Sequence, residues 1–352
     1  MDSLHMKKLR TPLLERNKLG ESSLVHSKIK LLKYLCSSNK ANNEPILTIV
    51  VAAYCHEQFI DDCLESINKC NIENLEVIII DDGSLDQTLS KCINYNFAPN
   101  ITVRIYGKHN SGLVDSLWHG LNLARGDYVA FIASDDCYEC GAIELALASL
   151  KNNTIIDALI CQAKMFGDKN GLVYDTRMNV FFSSDPFARL DKILLSPPAP
   201  MLIQSSIFKR TFLLTLNPWD NNLKLDDWPF FIGVFVAEAY QGAIVKYAPE
   251  ICLAKYRIHS SGAHLNLNRQ LQLAEEVAIK FIPLKYRKQT LANIRIDIGF
   301  GNLRNGRWAE GIMMCIHGLL TIMTFQNFMS FITRVANLVK RKILGKIYKN
   351  LS

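Results

Sequence analysis

Four short apolar runs set the rhythm of the first half of the chain: ILTIVVAA (46–53), LEVIIID (75–81), ITVRIY (101–106) and YVAFI (128–132). They are rich in β-branched residues and do not alternate strictly between apolar and polar, as expected of strands covered on both faces. Between them, residues 59–69, 85–94 and 111–125 place apolar side chains at helical spacing. Strand and helix alternating at this interval predict an α/β fold built on a doubly wound, mixed but mostly parallel sheet. Another helix is expected from about Gly141, and a further one along the apolar run 228–236. Beyond residue 265 the pattern is helical, over 271–279, 290–298 and 308–324, with GNLRNGRWAEG as a helix-turn-helix corner. No internal repeat is visible, so a repeat array is not expected.

The flanks differ from this body. Residues 1–44 are polar and basic, with one short helical pattern around 29–35, and end at the breaker Asn42-Asn43-Glu44-Pro45. They carry nine Lys/Arg against four Asp/Glu, and residues 327–352 carry six against none. Of the formal charge of +7, the two ends therefore hold +5 and +6, leaving −4 between them. A mildly acidic body argues against a nucleic-acid cleft in the core; basic ends suit an anionic surface. In the last segment Phe331, Ile332, Val335, Leu338, Val339 and Ile343 recur at helical spacing among Arg334, Lys340, Arg341, Lys342, Lys346 and Lys349. That is the pattern of a basic amphipathic tail lying on an anionic membrane.

The remaining composition excludes little. Ten cysteines are scattered without a repeating interval, and Cys137-x-x-Cys140 has no second pair to complete a zinc site. The first residues lack an unbroken apolar stretch of the secretory type, so a cytosol-facing protein with reduced thiols is expected. The most apolar later stretch, 311–325, is short for a membrane span and contains His317.

In a doubly wound sheet the ligand site forms beyond the carboxyl ends of the strands. Tyr54-Cys55-His56-Glu57 follow the first run, Asp81-Asp82-Gly83-Ser84 end the second, and Ser134-Asp135-Asp136 follow the fourth. Polar and acidic groups thus converge on one edge. No GxxxxGK[ST] loop is present, and Gly299-x-Gly301 follows no strand. A diphosphate bound here would need another counter-charge, and a divalent cation on Asp135 or Asp136 supplies one while relieving two adjacent carboxylates. Each of these groups also has a plainer reading. Asp81 to Ser84 form a plausible turn with Ser84 as a helix N-cap, and Asp135 and Asp136 suit the start of a helix. Tyr54 is compatible with core packing and His259 with a loop histidine.

IVVAAYCHEQFIDDCLESI, LEVIIIDDGSLDQT and NSGLVDSLWHGLNLARGDYVAFIASDD resemble, in order and spacing, the nucleotide-binding half of the inverting family 2 glycosyltransferases of the GT-A fold. The resemblance is strong over 46–140 and continues more weakly to about 262 through SSIFKRTFL, LKLDDWPFFIGVF and YRIHSSGAH. It implies a GT-A-like catalytic domain over 45–262, divided into a nucleotide-binding half (45–140) and an acceptor half (141–262). A basic arm (1–44), a helical region (263–326) and the basic tail (327–352) complete the expected organisation. By the same resemblance Tyr54 stacks on the donor base with Glu57 beside it, Asp82 hydrogen-bonds the base and Asp135 contacts the ribose. Asp136 and, less directly, His259 hold Mn²⁺ or Mg²⁺. In LDDWPFF, Asp227 is the general base and Asp226 supports it. Many members have a further Asp where this chain has Ala133, so the division of labour between Asp135 and Asp136 stays open.

Together these imply transfer of a sugar, with inversion, from a nucleoside-diphosphate sugar to a lipid-linked or polysaccharide acceptor at the inner face of a membrane, without nucleic acid. A non-catalytic scaffold of the same fold and a nucleotidyltransferase are the alternatives. The latter lacks its glycine-rich loop after the first strand.

Overall fold

The structure is a computed structural model that describes residues 28–36, 44–195, 201–219, 223–260 and 266–321. The chain divides after residue 265 into two compact units.

The first unit is built on one mixed sheet. Its centre is β2 (Leu47–Ala53), every residue of which is buried. Parallel to it on one side run β3 (Leu75–Asp81) and then β4 (Ile101–Lys108); on the other side lies β5 (Tyr128–Ala133). The chain therefore builds outward from β2 to β4 and then returns across it, which creates a switch point at the carboxyl ends of β2, β3 and β5. The connecting helices are α1 (Ile60–Asn68), α2 (Thr88–Asn94) and α3 (Leu113–Leu123). Helix α1 buries Ile60, Cys63, Leu64 and Ile67, the one-sided spacing that seats a helix on a sheet. In α3, a Cβ on Gly120 would stand 2.2 Å from Val50 Cγ1, so glycine lets this helix lie directly on β2.

Beyond β5 the sheet continues through β9 (Ser206–Lys209), β7 (Ala158–Gly167), β10 (Val245–Ile258) and β6 (Cys137–Tyr138), with the two-residue β8 (Gly171–Leu172) on β7. Helix α4 (Ala142–Asn152) follows β6; α5 (Thr176–Phe182) and α6 (Pro186–Leu195) follow β8. After β9 come α7 (Arg210–Leu216) and α8 (Asp227–Gln241). Strand β9 runs antiparallel to both β5 and β7, whereas β7 and β10 are parallel.

The four strands read from the apolar runs are present, and the sheet is mixed. Residues 29–35 are a correction: they form a strand, not a helix. This β1 (Ile29–Leu35) pairs antiparallel with the edge of β4, with a register shift between Leu31 and Lys33. Seven residues cannot hold a helix alone, whereas an open strand edge offers them backbone hydrogen bonds. Lys33 is anchored through its ammonium to the Ile93 carbonyl. Part of the basic arm thus belongs to the sheet.

The second unit holds α9 (Leu267–Phe281), α10 (Leu284–Arg304) and α11 (Trp308–Thr321). Ile296, Phe300, Leu303 and Cys315 form its small apolar core. The expected corner lies between Arg304 and Trp308, where Gly306 adopts φ +83°. No helix among the described residues is long and apolar enough to cross a membrane. The proposed tail, 327–352, lies outside the described residues.

Candidate active site

The carboxyl ends of the central strands are tied together by their own backbone. Asp82 N donates to Ala53 O (2.8 Å) and Ser134 N to Ala52 O (3.1 Å), so the acidic turns after β3 and β5 flank the loop after β2. Within that loop Tyr54 is 42% exposed, a ring at the mouth rather than in the core. Cys55 takes φ +50°, and its N–H donates to Ser84 Oγ (3.0 Å). Ser84 therefore locks one loop to another and does not cap a helix; α2 begins only at Thr88, where Asp86 Oδ1 accepts the Thr88 N–H.

The β3 turn uses its two carboxylates differently. Asp82 is buried, and its oxygens accept from the Ser111 and Gly112 N–H groups (2.8 Å each) and from the ammonium of Lys108. Lys108, itself buried, also stands 3.1 Å from Asp115 Oδ2. Asp82 thus braces the loop between β4 and α3. That loop lies close to the turn, since a Cβ on Gly83 (φ +75°) would stand 3.0 Å from Asn110 N. Asp81 Oδ2 accepts from the Gly83 and Ser84 N–H groups, while Asp81 Oδ1 is buried with no protein partner. An unsatisfied buried carboxylate oxygen is costly, and this one lies at the ligand edge of the sheet. Glu57, expected beside Tyr54, braces as well: its Oε2 accepts the Gln87 N–H (2.9 Å) and its carbonyl accepts from Lys91.

The same asymmetry recurs after β5. Asp136 is 1% exposed, with Oδ1 accepting the Arg257 N–H and Oδ2 the Gln204 side-chain amide, both at 2.8 Å. Burial, and then the neighbouring Asp135, push its carboxyl well above the usual carboxylate range. The Asp135 side chain is 18% exposed and faces two imidazoles: His259 Nε2 at 3.2 Å and His56 Nδ1 at 3.8 Å. His259 follows the last residue of β10 and packs its ring on Phe59 at 4.6 Å. His56 bonds Ser134 Oγ (2.8 Å); burial, aided by His259 and opposed by Asp135, lowers its pKa and favours the neutral ring.

Arg257 fastens this corner. Its guanidinium reaches Asp135 O (2.7 Å) and Asp62 (2.7 Å) and lies over the rings of Phe59 and Phe166.

The third acidic pair opens α8. Asp226 stands at the N-cap position without making a capping bond, and Asp227 Oδ1 accepts the Ile203 N–H (2.9 Å). Burial, then Asp226, with a further contribution from Asp136, push the Asp227 carboxyl well upward; burial also raises Asp226. A short 3-10 turn, Ile203–Ser205, thus joins the two sites. Gln204 holds Asp136 and the adjacent Ile203 holds Asp227. The buried Tyr174 pins this turn, its hydroxyl bonding Ser205 Oγ (2.6 Å) and the Leu202 N–H (2.8 Å).

The profile of glycosyl transferase family 2 matches residues 48–212. The chain carries a family 2 glycosyltransferase domain. An uncharacterized glycosyltransferase of Haemophilus influenzae is 29% identical over 230 residues, covering 62% of this chain and 67% of that protein. The hyaluronan synthase of Pasteurella multocida is 36% identical over 115 residues, 32% of this chain but only 12% of that much longer protein. Among solved structures, the mannosyltransferase PcManGT of Pyrobaculum calidifontis, in complex with GDP-Man and Mn²⁺, superposes with a TM-score of 0.54. It is 16% identical, with 95% of this chain and 91% of that one covered, a likeness of GT-A fold. The matched glycosyltransferase span ends before Asp226, Asp227 and His259, so their place beside Asp135 and Asp136 comes from the geometry.

Five residues of this candidate site carry no role in the sequence pattern. Asp81, His56 and Arg257 stand inside quoted motifs without a role of their own. Lys108 is a cation at the end of an apolar strand, a signal that was legible. Gln204, after the proline-rich stretch 197–200, carries no signal. Among the described residues no cluster of three or more His, Cys, Asp or Glu side chains is arranged to hold a metal unaided. All ten cysteines are free; Cys137 is buried and Cys140 exposed, so the CxxC pair lines no common site.

Proposed function

We propose that the chain transfers a glycosyl group, with inversion, from a nucleoside-diphosphate sugar to a hydroxyl of a lipid-linked or polysaccharide acceptor. The observation that carries this reading is the 3-10 turn whose consecutive residues hold Asp136 and Asp227. It sets a donor-side acidic corner against a second carboxylate whose pKa burial and Asp226 raise, the property required of a general base near neutral pH.

Asp227 takes the acceptor proton as the acceptor oxygen bonds to the anomeric carbon. The bond from that carbon to the diphosphate breaks in the same displacement, and the nucleoside diphosphate leaves. No protein carboxylate is needed as nucleophile. Burial, and then like-charge repulsion from Asp226, keep Asp227 high in pKa. Tyr54 stacks on the base, and Asp81 Oδ1 supplies the acceptor for a base N–H that the sequence reading gave to Asp82. Asp82 and Glu57 support the two loops.

The donor set fits a divalent cation. One partly exposed carboxylate, Asp135, stands beside the imidazole of His259, and two protein ligands plus diphosphate oxygens are a common arrangement for such ions. The ligand role proposed for Asp136 passes in this reading to Asp135, because both Asp136 oxygens are engaged. A bound Mn²⁺ or Mg²⁺ would supply charge neutralisation for the departing diphosphate; an imidazole in the set favours Mn²⁺ over Mg²⁺.

We further place residues 45–262 as the catalytic domain, 263–326 as an accessory helical region and 327–352 as a tail for an anionic membrane, on its cytoplasmic face. The likeness to a hyaluronan synthase supports an acceptor in surface-glycan synthesis. A panel of nucleoside-diphosphate sugars with Mn²⁺ or Mg²⁺, read by release of free nucleoside diphosphate and mass identification of product, tests the function. Diphosphate release is expected. Triphosphate formation in the presence of pyrophosphate would instead mark a nucleotidyltransferase, and no turnover with any donor a scaffold.

A further inference from the structure

Helix α11 has two unlike faces. Gly311, Cys315 and Gly318 are buried on one of them. A Cβ on Gly311 would stand 2.7 Å from Leu303 Cγ, and one on Gly318 would stand 2.7 Å from the Ala292 carbonyl. The small residues let α11 lie directly on α10, and that seam fixes which side turns outward. The outward side carries Trp308, Ile312, Met313, Ile316 and Leu320, between 47% and 66% exposed. Four of them recur every fourth residue and so form one apolar stripe along the helix.

Charge decides what such a stripe meets. From Gly311 through Thr333 the chain has no Asp, Glu, Lys or Arg; beyond it come six Lys/Arg and no acid. The sequence that follows this helix is thus one-sidedly basic, and a second copy of the chain would bring it no counter-charge. Along α11 such a pairing would also lack the charged rim that gives protein interfaces their register. An anionic leaflet neutralises the basic residues and accepts the apolar ones.

We propose that the exposed stripe of α11 is a lipid-docking face, its side chains entering the acyl boundary of an anionic membrane while the basic residues beyond Thr333 engage the headgroups. This rests on the membrane reading of the tail and adds an apolar component to it.

The experiment uses the full chain and vesicles of phosphatidylcholine with or without phosphatidylglycerol, at low salt and at about 0.5 M salt, where headgroup attraction is largely screened. Two variants are compared with wild type: Ile312→Glu/Ile316→Glu/Leu320→Glu, and deletion of 327–352. Circular dichroism and donor hydrolysis report that each remains folded. Wild type should bind anionic vesicles at low salt and keep part of that binding at high salt. The triple variant should lose at least about tenfold in affinity and all of the salt-resistant part. Brominated acyl chains should quench wild-type fluorescence but spare Trp308→Phe.

Equal binding of triple variant and wild type at both salts would overturn the stripe and leave the tail reading standing. Equal binding after deletion would overturn the tail reading instead. A lipid-free dimer of wild type that the triple variant dissolves would assign the stripe to a second copy and sink the proposal.

Discussion

At the end of β3, Asp82 is buried against the ammonium of Lys108 and two backbone N–H groups. At the end of β5, Asp136 is buried against one backbone N–H and one amide, neutral donors both. In each turn the other aspartate has an oxygen without such a partner: Asp81 a buried, orphaned Oδ1, Asp135 a partly exposed carboxylate before two imidazoles. The difference lies in the counter-charge. In the β3 turn a lysine ammonium already meets the buried Asp82. The β5 turn holds two carboxylates with neutral donors on the buried one; burial and Asp135 raise its pKa, and the nearby Arg257 guanidinium offsets this only in part. Such a corner is relieved by a cation that arrives with the substrate.

The third acidic pair extends the comparison and gives its largest expected effect. Asp227→Asn keeps an acceptor for the Ile203 N–H but cannot take a proton, so transfer should fall about 10²- to 10⁴-fold. Donor affinity, measured by calorimetry, should change little. If Asp226→Asn shows this loss and Asp227→Asn does not, the base is the other residue of the pair.

Lys108→Met tests the lysine ammonium. It leaves Asp82 and Asp115 buried without their ammonium, which should destabilise the fold by about 3–5 kcal/mol in urea unfolding. Adding Asp82→Asn should recover part of that. An unchanged unfolding midpoint would mean that Lys108 is not the charge that holds Asp82 in this turn.

A smaller effect separates Asp135 from Asp136. With nucleoside diphosphate present, Asp135→Asn should weaken Mn²⁺ binding by more than about 10²-fold, whereas Asp136→Asn, altering a supporting group, should lose only about tenfold. Free Mn²⁺ measured by electron paramagnetic resonance gives both numbers. The reverse order would return the ligand role to Asp136.

The smallest effect is on stability against pH. A carboxyl whose pKa is raised by folding binds its proton more tightly in the native state. Native stability therefore declines as pH climbs from the ordinary carboxylate range through the raised value. Asp227→Asn lacks that loss. In metal-free protein its unfolding free energy, measured in urea, should exceed that of wild type by a margin that grows from acid to neutral pH, at up to about 1.4 kcal/mol per pH unit within that window. A margin constant with pH would mean that Asp227 is not shifted by folding.

The four strands at the centre of the sheet were legible because they are almost entirely buried and their β-branched runs are unbroken; for β3 the expected and observed limits agree. Residues 29–35 were not legible in that way. KIKLLKYL places its apolar residues as a helix would, and only the vacant edge of β4 made it a strand. The second unit shows the same division at a helix. Periodicity announces α11, yet which of its faces is covered depends on the glycine seam against α10.

From the sequence alone came the alternation that builds the α/β core, the convergence of Tyr54, Asp81, Asp82, Asp135 and Asp136 on one strand edge, and the acidic pair at 226–227. These follow from local pattern, because strand period, turn chemistry and charge are written into neighbouring residues. The tertiary structure decided which member of each acidic pair is braced and which is open. Gln204 lies 68 residues from Asp136, Arg257 lies 121 residues from it and Lys108 lies 26 from Asp82, yet each donates directly to the carboxylate it holds. A carboxylate's solvation, and with it its proton affinity, depends on groups brought in from distant elements, and no local pattern encodes their arrival.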